Sequence, residues 1–239
     1  MTTHKFVGDG NVKFVIAHAS TEIRYDQRHT LVRFLLKYGD VIVFDLPGHG
    51  DEQIRDAQPL SSSDMVREFS KTMDAIEQPY FFIGYSLGAL LGTKYFANRL
   101  GKSYRAVMIG SGLRSDEISL KKIETFFEPS NYQSPNVAKT LRARHGPYWK
   151  NLLSSIQQNL VSEDNIMPSP DEIMKIQELP IDFILAQNDQ AYSIDSLDGI
   201  PSERIARVKE NHFTYFHQKV GWPQTKAVIL ELISEFHHS

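Results

Sequence analysis

Tyr80-Phe81-Phe82-Ile83-Gly84-Tyr85-Ser86-Leu87-Gly88-Ala89-Leu90-Leu91 is the stretch on which the fold turns. Its first four residues are an apolar run of strand type, and from Leu87 onward the residues are helix-permissive. Between them, Gly84 to Gly88 has the G-x-S-x-G spacing, whose glycines admit a crowded strand-to-helix turn that exposes the serine oxygen. Chance writes this pattern in a chain of this length roughly one time in ten, so the flanking strand and helix carry the weight. A serine hydroxyl is a weak nucleophile, and Ser86 needs a histidine to take its proton and a carboxylate to orient that histidine, both later in the chain.

Outward from this turn, apolar runs bounded by Gly, Pro, Asn or Asp recur at Val12 to Ala17, Val41 to Phe44, Ala106 to Ile109 and Ile181 to Ala186. Each reads as a strand buried on both faces. A shorter pulse at Ile205 to Val208 reads as a last strand. Elsewhere the apolar period is three or four: Met65, Val66, Phe69, Met73 and Ile76 follow the cap-rich Ser61-Ser62-Ser63-Asp64. A helix from Leu87 to Leu100 stops at Gly101, and Val228, Ile229, Leu232, Ile233 and Phe236 mark a C-terminal helix entered after Pro223. The alternation predicts an α/β fold with a mostly parallel central sheet, helices on both faces, and a ligand site beyond the strands' carboxyl ends. It fails from Leu113 to Leu179, so the core is expected in residues 1–112 and 180–239, with a helical insertion at 113–179 packed over the sheet.

Asp189 lies just beyond the Ile181 to Ala186 strand, at a carboxyl end on the face where Ser86 is expected, and is the candidate acid. Asp195 is the reserve, with Asp182 and Asp198 behind it. His212, in a loop between the last strand and the C-terminal helix, is the candidate base. His217 lies nearer the helix entrance, and His237 and His238 sit in the terminal tail. His18 and His49 read as loop-shaping residues rather than proton carriers.

Hydrophobic residues at 41%, charged residues at 23% and a formal net charge of −3 describe an ordinary soluble globular chain of 239 residues. There is no clustered positive excess of the kind that binds nucleic acid or an anionic membrane. The absence of cysteine excludes disulfides, thiolate metal sites and cysteine nucleophiles, leaving serine for covalent catalysis. The histidines are dispersed without metal-ligand spacing, and no loop has a phosphate-cradling or dinucleotide pattern, so neither metal nor cofactor is expected. With no apolar run of membrane-spanning length and no h-region after Met1, a cytoplasmic protein acting on a small molecule is expected, its oligomeric state left open.

Four features together resemble the α/β-hydrolase fold family: Ile16-Ala17-His18-Ala19 after the first buried strand, Asp45-Leu46-Pro47-Gly48-His49-Gly50, the serine turn, and the order Ser86, Asp189, His212. The likeness covers nearly the whole chain, and residues 113–179 correspond to the family's variable helical cap. It implies an oxyanion hole of two backbone amides, from Leu87 and, in the loop after the first buried strand, Ser20. The family's usual His-Gly is His18-Ala19 here, and alanine resists positive φ at a cost of roughly 1 to 2 kcal/mol if that conformation is needed. Only Lys5 to Val7 precedes the first buried strand, so a smaller sheet is expected.

The expected activity is that of a serine hydrolase acting on a small carboxylic ester or thioester through an acyl-enzyme on Ser86. One alternative is a cofactor-independent lyase or carbon–carbon hydrolase on the same fold. There, Arg142 and Arg144, beside His145, Tyr148 and Trp149, would hold a substrate carboxylate, against the plainer reading of that cluster as a solvated helix face. A second alternative is a non-catalytic ligand-binding protein.

Overall fold

The computed structural model describes residues 1–26, 28–54, 59–99, 104–162, 165–209, 211–217, 219 and 221–238. Seven strands form one sheet: β1 Thr3–Phe6, β2 Val12–Ala17, β3 Gly39–Phe44, β4 Tyr80–Tyr85, β5 Tyr104–Ile109, β6 Ile181–Ala186 and β7 Ile205–Val208. Their order is β1-β3-β2-β4-β5-β6-β7, antiparallel only at the β1 edge. The four residues of β1 pair with Val41 to Phe44, so the short N-terminus still contributes an edge strand. Its alternating exposure follows from an edge position with only one covered face. Central β4 is buried at every residue, the consequence of helices on both faces and the reason its sequence is apolar without alternation.

The short α1, Arg33–Leu35, and the C-terminal α8, Trp222–His238, cover one face. On the other lie α2, Ser62–Ala75, and α3, Leu87–Ala97. Helix α2 starts where its cap signal predicts, the Ser61 side chain accepting the Asp64 amide. Helix α3 is buried on nearly every side, so it has almost no amphipathic stripe. Its expected end at Leu100 and Gly101 lies outside the described residues.

Four helices follow β5: α4 Glu117–Phe127, α5 Pro135–His145, α6 Trp149–Val161 and α7 Pro170–Glu178. Helix α6 packs on α4 and reaches the start of α2, where Asn159 donates to Leu60 O at 2.8 Å and accepts from Ser62 Oγ at 3.1 Å. Helix α7 lies on α3, with Glu172 receiving Lys94 Nζ at 2.8 Å and Asn98 Nδ2 at 2.7 Å. The region between β5 and β6 thus contains both helices that roof the sheet's carboxyl edge and one that covers its face. No described helix is long and apolar enough to cross a membrane.

Candidate active site

Ser86 joins β4 to α3 with φ 49° and ψ −112°, and it is the sole non-glycine residue of positive φ among the described residues. Such a backbone is costly for serine and persists because its surroundings hold it: Ser86 N donates to Ile109 O at 2.8 Å, and Ser86 O accepts from Leu90 N at 3.0 Å. The two glycines are required by space. A Cβ on Gly84 would lie 2.6 Å from Ala89 Cα, and one on Gly88 2.4 Å from Ala17 O. The closeness of α3 to β2 also lets Gly88 N donate to His18 O at 3.1 Å.

Ser86 Oγ is 3.0 Å from His212 Nε2, and His212 Nδ1 is 3.1 and 3.0 Å from the two Asp189 oxygens. With Nδ1–H donating to the carboxylate, Nε2 presents its lone pair to the serine hydroxyl. The Asp189 side chain is fully buried and accepts from Ala191 N at 2.8 Å, Tyr192 N at 3.0 Å and Tyr215 Oη at 2.9 Å. Burial pushes this carboxyl up, but His212 and the two amides outweigh it and hold Asp189 below the usual carboxylate value.

Two tyrosines complete the support. Tyr215 Oη also accepts the Ala186 amide at 2.7 Å, tying the acid to the end of β6, and Tyr85 Oη donates to His212 O at 2.6 Å. Sequence reading missed both: Tyr85 is the variable residue before the serine, and Tyr215 follows His212 by three positions with no motif around it. The one signal available was that each is an aromatic with a polar tip beside a candidate residue.

The loop after β2 brings Ser20 to the same place. Leu87, at the start of α3, and Ala19 and Ser20 border one cavity with Ser86 and His212. Ala19 takes no positive φ, so the loop reaches this position without the left-handed conformation that a glycine would permit. His18 Nε2 accepts Leu46 N at 3.0 Å, which leaves Nδ1–H to donate to Ala19 O at 2.7 Å. His49 Nε2 lies 2.6 Å from Ser20 O and its Nδ1 3.0 Å from Pro47 O; a neutral ring has one proton, and the shorter contact takes it. Burial holds both rings below the ordinary histidine value, which keeps them neutral. Asp45 lies beneath, paired with the Arg24 guanidinium and accepting Arg24 N at 2.8 Å.

The cavity encloses about 770 Å³. Leu90, Ile123, Phe127, Leu160 and Tyr192 make its inner wall apolar, while Ile118, Phe126 and Phe213 form a rim. The Phe126 and Phe213 rings stack with centroids 5.3 Å apart. Lys121 and Lys122 of α4 and Glu22 are the charged residues on the lining. Arg142, Arg144, Tyr148 and Trp149 do not border the cavity. Arg144 is committed to Thr21 O and Asp26, Trp149 is packed into the core, and Tyr148 is exposed. The separation arises because α5 turns away to meet the loop after β2, while α4 faces the serine. Of the other acids, Asp182 pairs with Arg105 at the start of β6, and Asp195 and His217 are likewise outside the cavity wall.

Residues 13–226 match the model of the alpha/beta hydrolase fold, and the chain belongs to that family. No curated protein sequence matches it. Solved structures share the fold at low identity. A carboxylesterase of the ammonia-oxidizing thaumarchaeon Nitrososphaera gargenis is 15% identical, with a TM-score of 0.74 over 98% of this chain and 95% of that one. The enol-lactonase of Burkholderia xenovorans LB400 is 16% identical, with a TM-score of 0.69 over 97% and 96%. A meta-cleavage product hydrolase of Pseudomonas fluorescens IP01 is 18% identical, with a TM-score of 0.69 over 98% and 93%. The family supports a hydrolase.

Proposed function

We propose that the protein is a serine hydrolase of small carboxylic esters or thioesters with an apolar acyl group. The observation that carries this reading is the continuous chain from Ser86 Oγ through His212 to Asp189, opening into a largely apolar cavity. Ser86 Oγ attacks the carbonyl carbon as His212 Nε2 takes its proton, and Asp189 stabilises the resulting imidazolium. The amides of Leu87 and Ser20 hold the tetrahedral oxyanion. Collapse breaks the bond to the leaving alcohol or thiol, which receives the proton from His212. Water, deprotonated by the same nitrogen, then releases the acid and restores Ser86. The meta-cleavage neighbour keeps a carbon–carbon hydrolase in view as the second reading, but that reading assigned the substrate carboxylate to Arg142 and Arg144, which lie off the cavity wall.

Labelling with a fluorophosphonate, followed by peptide mapping, tests the reading. An adduct on Ser86, absent from the Ser86→Ala protein, is expected. A wild-type protein with no adduct on that residue overturns it. With labelling in hand, acyl esters and thioesters compared with carboxylated diketones distinguish the two chemistries.

A further inference from the structure

The C-terminal turn of α5 is fastened to the loop that carries Ser20. Arg144 Nη1 donates to Thr21 O at 3.1 Å, and Nη2 meets Asp26 Oδ1 at 2.8 Å. His145 Nε2 stands 3.3 Å from the same Thr21 O, and its ring meets that of His49 edge-on at 5.3 Å. Asp26 in turn accepts Ile23 N at 2.8 Å, so the guanidinium closes the next turn of the loop as well. Three successive carbonyls are therefore held by side chains: Ala19 O by His18, Ser20 O by His49, and Thr21 O by Arg144 and His145.

A trans peptide sets its N–H opposite its C=O, so holding Ala19 O aims the Ser20 amide, and holding the next two carbonyls keeps that plane from turning. His18 and His49 come from the sheet's own loops. Arg144 and His145 come from a helix that contributes nothing to the cavity wall. Since Ala19 has no positive φ, the direction of the amide is set by these cross-links rather than by a glycine conformation.

We propose that Arg144, together with His145, is a positioning residue, through which α5 holds the Ala19–Glu22 turn so that the Ser20 amide faces the carbonyl oxygen of a substrate at Ser86. This rests on the reading of Ser86 as nucleophile and Ser20 as oxyanion donor, and it gives α5 a part in the chemistry itself. Arginine suits the site because its planar fork offers one nitrogen to the carbonyl and another to the carboxylate in fixed geometry, whereas a lysine would have to meet both from a single nitrogen.

The test compares Arg144→Ala and Arg144→Lys with wild type, and with Lys139→Ala as a control on the exposed face of the same helix. The Arg144 side chain is 34% exposed, so its truncation leaves no core cavity and the fold is expected to persist. For Arg144→Ala, kcat on an acyl ester should fall by about tenfold to a hundredfold with KM within about twofold, less than the loss from deleting an oxyanion donor outright. Affinity for an alkyl trifluoromethyl ketone, whose hemiketal oxygen occupies the oxyanion position, should fall in parallel. Arg144→Lys should recover part of both, and Lys139→Ala should match wild type. Unchanged kcat and ketone affinity in Arg144→Ala overturn the inference, as does a fall in both that tracks a lowered melting temperature without recovery in Arg144→Lys. If wild-type Ser86 takes no fluorophosphonate, the function reading fails and this inference with it. Labelled Ser86 with an indifferent Arg144 removes the inference alone.

Discussion

Replacing Tyr215 by phenylalanine deletes one oxygen that bridges β6 and the acid. The hydroxyl accepts Ala186 N at 2.7 Å and donates to Asp189 Oδ2 at 2.9 Å, and both partners are buried. Losing the bond to a charged acceptor costs about 1.5–3 kcal/mol, and the amide left without a partner about 1–3 kcal/mol more. A total of about 2.5–6 kcal/mol is expected, large beside a domain stability of about 5–15 kcal/mol. The two parts separate by pH. Asp189 has a folded pKa held below its unfolded value, so its contribution to stability is complete above the unfolded value, about 3.9, and is lost as pH falls through the folded one. Without the tyrosine donor the folded pKa rises toward the unfolded value, and that contribution shrinks. Urea denaturation of wild type and Tyr215→Phe should therefore show its full stability gap at pH 7 and a smaller one below pH 4, the remainder belonging to the orphaned Ala186 amide. A gap under about 1 kcal/mol at pH 7, or one that widens as the acid is protonated, refutes the bridge.

Asp189→Asn should lower kcat by about 10⁴-fold in ester hydrolysis, because an amide favours the wrong histidine tautomer, whereas Asp195→Asn should leave steady-state kinetics unchanged. His145, pushed down to about 3 by burial and by His49, stays neutral in the folded chain at pH values where the unfolded chain protonates it. Stability therefore falls as pH drops below about 6.5, each such ring adding about 1.4 kcal/mol per pH unit, and His145→Gln should flatten the slope measured by denaturation between pH 6 and 4. Phe213→Ala removes the stacked partner of Phe126 at the rim and should raise KM for apolar acyl esters by about threefold to tenfold, a factor worth about 0.5–1.5 kcal/mol, with kcat nearly unchanged in initial-rate assays.

The buried strands were legible because each is covered on both faces and so reads as a mostly apolar run without alternation, even where Lys13, Arg105 or Asp182 stands near its start. Edge strand β1, half exposed, carried no such mark and was read only as a stub at Lys5 to Val7. Asp189 and His212 were chosen as candidates through the ends of strands and the order of the chain, which fix where a side chain starts, and the structure brings both beside Ser86. The position of Arg142 and Arg144 off the cavity wall was not legible for a different reason. Both sit in one basic turn at the end of α5, and helical spacing says which residues share a face without saying what that face meets.

From the sequence alone come the class of fold, the serine turn with its two glycines, and Asp189 and His212 as candidates. All of these follow from local pattern and connectivity. Only the tertiary structure decided that Tyr85 and Tyr215 support the histidine and the acid, that α4 rather than α5 lines the cavity, and that Arg144 clasps the loop bearing Ser20. These are contacts between segments up to 127 positions apart, set by how helices and loops pack, and no period or motif within either segment encodes them.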